Sequence, residues 1–229
     1  MKTIHRIQTA GTARLRRCAA GDDFFQRHPA SGPGSDPVQW YLGEFGHIIN
    51  SDCAKLAFLR DGYDPADPES VRKFHAPASA LVGQLIDAMF ERTAAGNYLC
   101  LTAGGNGSGK STFCDGIRPL LGDAWCIDAT MGSFEPARVT IARALELGMK
   151  PVVFWIRRPP EEAWNNGVLK RAAHGSHATP RDIFEFTHAQ VPLNLAKLRK
   201  EFSPSLLPVI EIENGQALAR GKSAKKGSL

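Results

Sequence analysis

Long apolar runs are missing from this chain of 229 residues: the longest reach about six residues, against the roughly 20 that a spanning helix requires. A membrane role is therefore not expected. The N-terminus, MKTIHRIQTAGTARLRR, is basic but lacks the apolar stretch of a secretory signal, so export is not expected either. Cysteine is sparse as well. Cys18, Cys53, Cys100, Cys114 and Cys126 are an odd number without a Cys-x-x-Cys pair, which indicates neither a disulfide framework nor a zinc site. A reducing cytoplasm is the expected location. Internal repeats are absent too. Nor is either charge in great excess: the net charge is +5, and Arg6, Arg14, Arg16, Arg17, Arg220, Lys222, Lys225 and Lys226 hold much of it at the two ends. Such ends are expected to solubilise the chain, with contact to nucleic acid as the alternative.

What is present is an ordinary globular composition, 43% hydrophobic and 22% charged. HPASGPGSDP, ending at Pro37, is rich in Pro, Gly and Ser and reads as a linker. The expected division is a basic N-terminal segment over 1–38, a domain over 39–214 and a basic tail over 215–229. Within the domain, strand-length apolar runs alternate with segments of helical periodicity. The runs are His47 to Asn50, Tyr98 to Ala103, Ala124 to Ile127, Val152 to Ile156 and Leu207 to Ile212. Helices are expected over Val71 to Arg92, Lys110 to Leu121, Glu135 to Leu147, Pro160 to Ala173 and Pro180 to Glu201. Pro77 is expected to delay the first, and Pro192 to kink or split the last. This alternation predicts an α/β fold, a mostly parallel sheet of about five strands covered by helices on both faces.

Gly104-Gly105-Asn106-Gly107-Ser108-Gly109-Lys110-Ser111 satisfies G-x-x-x-x-G-K-[ST], with a strand before it and a helix from Thr112 onward. Glycines let such a loop curl until successive backbone N–H groups converge on one anion, and the helix N-terminus adds partial positive charge. The pattern predicts a P-loop for a nucleotide triphosphate. Lys110 would reach its β- and γ-phosphates and Ser111 would ligate Mg²⁺. No Asn/Thr-Lys-x-Asp guanine-reading motif is present, which favours ATP over GTP.

Ligands of a parallel sheet bind beyond the carboxyl ends of its strands, so polar residues after each apolar run should converge. Asp52 follows GHIIN, Asp128 and Thr130 follow AWCI, and Arg157 and Arg158 follow VVFWI. A carboxylate there can hold Mg²⁺ or take a proton from a hydroxyl. A helix N-cap is the alternative for either Asp. Arg157, Arg158, Lys170 and Arg171 are candidates to balance phosphoryl charge, although each could be a solvated surface residue. Arg171 precedes AAHGSHATP, a lid-like segment with His174 and His177. His75 and Ser79 are candidates to line an acceptor pocket.

With these residues in place, the chain resembles the zeta-toxin family of P-loop kinases, which phosphorylate UDP-N-acetylglucosamine or related UDP-amino sugars. The resemblance covers roughly residues 46 to 214. TAGGNGSGKST looks like the family's phosphate loop, IDATMGS like its substrate-binding strand end, VVFWIRRPPEEAWNNGVLKRA like its strand and lid, and HATPRDIFEFTHAQVPLNL like the helix that follows. It implies an ATP- and Mg²⁺-dependent kinase with Asp52 as base, Arg171 on the transferred phosphate, Ser111 and Asp128 on the metal, and Asp128, Thr130, His75 and Arg158 towards the acceptor. It also implies an antitoxin protein as a partner. The chain departs from the pattern in order: the segment resembling the one that carries the catalytic Asp, IINSDCAKLAFLRDGYDPADPESVRKFHAPAS, precedes the phosphate loop instead of following it. Ala129 stands where the family usually has Gly, and His177 near a common Arg.

Two other classes fit the same motif. A nucleotide-dependent switch or nucleic-acid-associated ATPase would need Lys110 but not Asp52. A degenerate P-loop protein kept for protein contacts would transfer phosphate to nothing.

Overall fold

The apolar runs do pair, and all in one direction. The computed structural model describes residues 36–173 and 179–214. Its strands are β1 (Ile48–Asn50), β2 (Tyr98–Ala103), β3 (Trp125–Asp128), β4 (Lys150–Arg157) and β5 (Val209–Glu213). They form one all-parallel sheet in the order β1-β3-β2-β4-β5. The strand that precedes the glycine-rich loop, β2, is therefore central. β1, which comes earlier in the chain, lies at an edge beyond β3.

Alternation along the strands sorts side chains between two faces. Ile49, Leu99, Leu101, Ala103, Trp125, Ile127 and Val153 belong to the main core, which also takes Leu85 and Met89, Ile141 and Ala144, and Val191, Leu195 and Leu198 from helices. Ile48, Cys100 and Cys126 point to the other face and meet Cys114 and Leu121. Helices thus cover both faces, unequally.

Helix α1 (Pro37–Phe45) begins two residues before the expected domain start. Asp36 accepts from the Val38 and Gln39 amides, and Pro37 sits in the first turn, where its missing N–H costs nothing. It belongs to the fold, because Tyr41 is wholly buried. After β1 come α2 (Ser51–Lys55), a 3₁₀ segment (Leu56–Asp61), α3 (Pro68–Lys73) and α4 (His75–Arg92). The single helix expected from Val71 is two helices broken at Phe74, whose backbone leaves helical geometry (φ −91°, ψ 6°). Pro77 falls in the first turn of α4, so that helix starts before it.

Beyond β2 lie α5 (Lys110–Leu121), α6 (Phe134–Glu146), α7 (Pro160–Ala163), a π-helical segment (Trp164–Leu169), α8 (Lys170–Ala172) and α9 (Arg181–Glu201). Pro192 does not split α9: Val191, Asn194, Leu195 and Leu198 are buried on either side of it and hold the helix through the lost hydrogen bond. No described helix is long and apolar enough to cross a membrane. Residues 1–35 of the basic N-terminal segment expected over 1–38, His174 and His177, and the basic tail over 215–229 lie outside the described residues.

Candidate functional site

Because all five strands run parallel, their carboxyl ends share one edge, and the glycine-rich loop leaves the middle of it. Gly104 continues from β2 with φ +147°, and a Cβ there would strike the Ile156 carbonyl oxygen of β4. At Gly107, with φ +76°, a Cβ would strike the Ala163 carbonyl oxygen at the end of α7. Glycine at these two positions lets the loop pass between neighbouring elements. Gly105 is covered by the ring of His188. The backbone then turns helical at Lys110 after Gly109. Thr112 is exposed on the first turn of α5.

The loop is tied on every side. Gly104 N–H donates to the Thr130 carbonyl (3.1 Å), and Ser108 N–H to the Gly105 carbonyl (3.2 Å). Asn106 N–H donates to Thr187 Oγ1 (3.3 Å), and the Asn106 carbonyl lies 2.9 Å from His188 Nε2. Arg158 Nη1 donates to the Gly107 carbonyl (3.2 Å) and Asn214 Nδ2 to the Ser108 carbonyl (2.7 Å). Lys110 Nζ donates to the Gly105 carbonyl (3.1 Å).

Asp128 organises the next layer. Ser111 Oγ donates to its Oδ2 (2.7 Å), Asn50 Nδ2 to the same oxygen (2.6 Å), and Thr102 Oγ1 to Oδ1 (3.0 Å). Strand register explains the gathering. Asn50 pairs directly with Asp128, and Leu101 with Ile127, so Asn50, Asp128 and Thr102 lie side by side near the carboxyl ends of adjacent strands on one face, towards α5. Asp128 is thus a buried acceptor held by three donors.

Burial lowers the pKa of Lys110. The Asp128 and Asp52 carboxylates oppose that shift, and Arg171 adds to it. A buried ammonium under this pressure favours an added anion. The same holds for unused donors: Arg158 Nε, Arg171 Nε and Ser108 Oγ are buried without a hydrogen-bond partner among the described residues. Such groups are costly unless a ligand satisfies them. A phosphate chain fits these residues, and Ser111 with Asp128 offers the oxygen donors that Mg²⁺ prefers.

Asp52 lies in the first turn of α2, after the end of β1, its amide capped by Asn50 Oδ1 (2.7 Å). Its Oδ1 meets Lys55 Nζ at 2.9 Å. His75 opens α4 nearby. It is exposed, and the partial burial of its ring, followed by the Lys55 ammonium, lowers its pKa, while Asp52 opposes. Tyr63 is held above its ordinary value by burial, with Asp52 adding to the effect. The Asp52 carboxylate is thus paired with Lys55 and within electrostatic reach of Tyr63, His75 and Lys110. Thr130 is half-buried, its Oγ1 accepting from Gly132 N–H (3.2 Å).

Some candidates are not brought in. Arg157 is exposed and paired with Glu213 (3.0 Å) and Glu211 (3.3 Å), and stacks over Trp155, so β5 engages its charge. Lys170 and Ser79 are exposed. The residues that sequence reasoning missed are Asn50, Lys55, Thr102, Thr187, His188, Asn194 and Asn214. Asn194, buried in α9, donates to the Met131 (3.1 Å) and Gly132 (2.9 Å) carbonyls, where Met131 takes φ +58°, unusual for a residue with a side chain. It pins the loop that carries Thr130. A cavity of about 380 Å³, lined by His47, Arg92, Asn97, Asp123 and Trp125 among others, lies at the amino ends of β1, β2 and β3 and takes no part in this site. Compared with known proteins, the chain matches no family model and no curated sequence.

Proposed function

We propose that the chain is a P-loop phosphotransferase that binds ATP with Mg²⁺ and passes the γ-phosphoryl group to a hydroxyl of a small acceptor, a UDP-amino sugar being the class the zeta-toxin resemblance suggests. The observation that carries this reading is the 2.7 Å bond from Ser111 Oγ to Asp128 Oδ2. It joins the last residue of the glycine-rich loop to the carboxylate of the neighbouring strand end, the pairing that holds Mg²⁺ in P-loop enzymes.

ATP and Mg²⁺ supply the transferable group and the cation. Lys110, Arg158 and Arg171 offer positive charge and donors around the phosphates, and Asp52 takes the proton of the acceptor hydroxyl. β1 supports this role for Asp52 despite its early place in the chain. A parallel edge strand delivers its carboxyl end to the cleft whether it comes before or after β2.

The test is ³¹P or mass-spectrometric detection of transfer from ATP and Mg²⁺ to a panel of UDP-sugars, with wild type, Lys110→Ala and Asp52→Asn. Transfer to one acceptor, lost in both variants, is expected. Nucleotide binding without transfer to any acceptor would replace this reading with a nucleotide-dependent switch or a degenerate P-loop protein.

A further inference from the structure

We propose that Asn50 is a positioning residue that uses the two ends of its amide to lock the metal-facing carboxylate of Asp128 to the helix carrying Asp52. The inference rests on the nucleotide and Mg²⁺ reading above.

Three observations place it. On one side, Asn50 Nδ2 donates to Asp128 Oδ2 at 2.6 Å, the oxygen that also accepts from Ser111. On the other, Asn50 Oδ1 accepts from the amides of Asp52 (2.7 Å) and Cys53 (3.2 Å), capping α2. The partners fix which end of the amide is which, because two N–H donors require the oxygen and a carboxylate requires the NH₂. The backbone of Asn50 is held too: its N–H donates to the buried Tyr41 phenol (2.8 Å), which bonds back to the Ile48 carbonyl (3.0 Å). Burial pushes the pKa of that phenol upward, so it remains a neutral donor and acceptor.

A plain N-cap would use only the oxygen, and Ser or Asp would serve about as well. The second bond is what those residues lack. Ser is too short to span to β3, and Asp would set a carboxylate against a carboxylate. With the amide in place, Asp128 Oδ2 is aimed beside Ser111, and α2 cannot shift relative to that oxygen without losing its cap. Partners of this kind behind a metal ligand typically change metal affinity by about 10–100-fold when removed.

The probe is methylanthraniloyl-ATP, titrated by fluorescence against wild type, Asn50→Ser and Asn50→Ala, each with EDTA and with excess Mg²⁺. Mn²⁺ binding to the nucleotide complex is followed in parallel by electron paramagnetic resonance. Asn50→Ser keeps a cap and should keep the wild-type Kd in EDTA, while the Mg²⁺-dependent tightening and the Mn²⁺ affinity fall about tenfold or more. Asn50→Ala should add a drop in melting temperature. Equal weakening of Asn50→Ser with and without Mg²⁺, or no change in either, would overturn the inference and leave the nucleotide reading standing. Failure of the wild type to bind the probe in any condition would overturn both.

Discussion

Lys55 Nζ sits 2.9 Å from Asp52 Oδ1, and the two partners differ sharply in exposure: the lysine side chain is 4% accessible and the aspartate 41%. The pair therefore works in one direction. Asp52 can turn to water if the contact breaks, but Lys55 would be left as a buried ammonium, which proteins rarely tolerate unpaired.

Asp52→Asn should accordingly lower stability by about 1–3 kcal/mol, the upper range for fully buried pairs being discounted for the exposed carboxylate. Adding Lys55→Met to Asp52→Asn should restore much of the loss. Thermal melts of the two single variants and the double variant check this coupling. Additive effects would mean that Asp52 is not what makes the buried lysine tolerable.

A pH effect follows from His188. Burial lowers its pKa below the ordinary imidazole value; the contact with the Asn106 carbonyl opposes this, and Lys110 adds to it. The unfolded chain then takes up a proton near pH ~6.5 while the folded ring stays neutral. The corresponding stability is fully present above that pH and is lost as pH falls through the folded pKa. Melting temperatures measured from neutral to mildly acidic pH should fall less steeply for His188→Gln than for the wild type. Parallel curves would show that His188 does not titrate differently on folding.

The three thiols behind the loop give a chemical prediction. Cys114 Sγ, on α5, lies 3.4 Å from Cys126 Sγ, and both are buried with Cys100 between that helix and the sheet. Burial pushes Cys100 up to about 11. The hydrogen bond to Cys126, followed by burial, raises Cys114 as well. Thiols so placed are poor nucleophiles. A disulfide reagent at neutral pH should label none of the three in the native protein and all three after denaturation, as read by peptide mass mapping. Rapid native labelling of Cys114 would mean that α5 opens readily.

The central strands were legible because buried parallel strands read as largely apolar runs, and YLCLTA matches β2 end to end. The glycine-rich loop was legible because its chemistry is local. The partners around it were not, since they depend on strand register and helix facing. Thr102 looks like one polar residue in an apolar run until pairing sets it beside Asp128. Asn50 looks like the end of a weak strand, and Lys55 like a surface charge three places after an acid. His188 and Asn194 meet the cleft only because α9 lies along its rim. The break at Phe74 left no mark in the helical periodicity, and α1 was hidden by the proline-rich stretch before it.

The edge position of β1 has a consequence for synthesis. Among the described residues its sheet partner is β3, and Asn50 must wait for Asp128, 78 positions later, before their contact can form. As the chain leaves the ribosome, the helices around β1 emerge before β3, the strand against which β1 pairs. Closing a loop of that length has an entropic cost, so β1 should take its place in the sheet late although it precedes β3 in the chain.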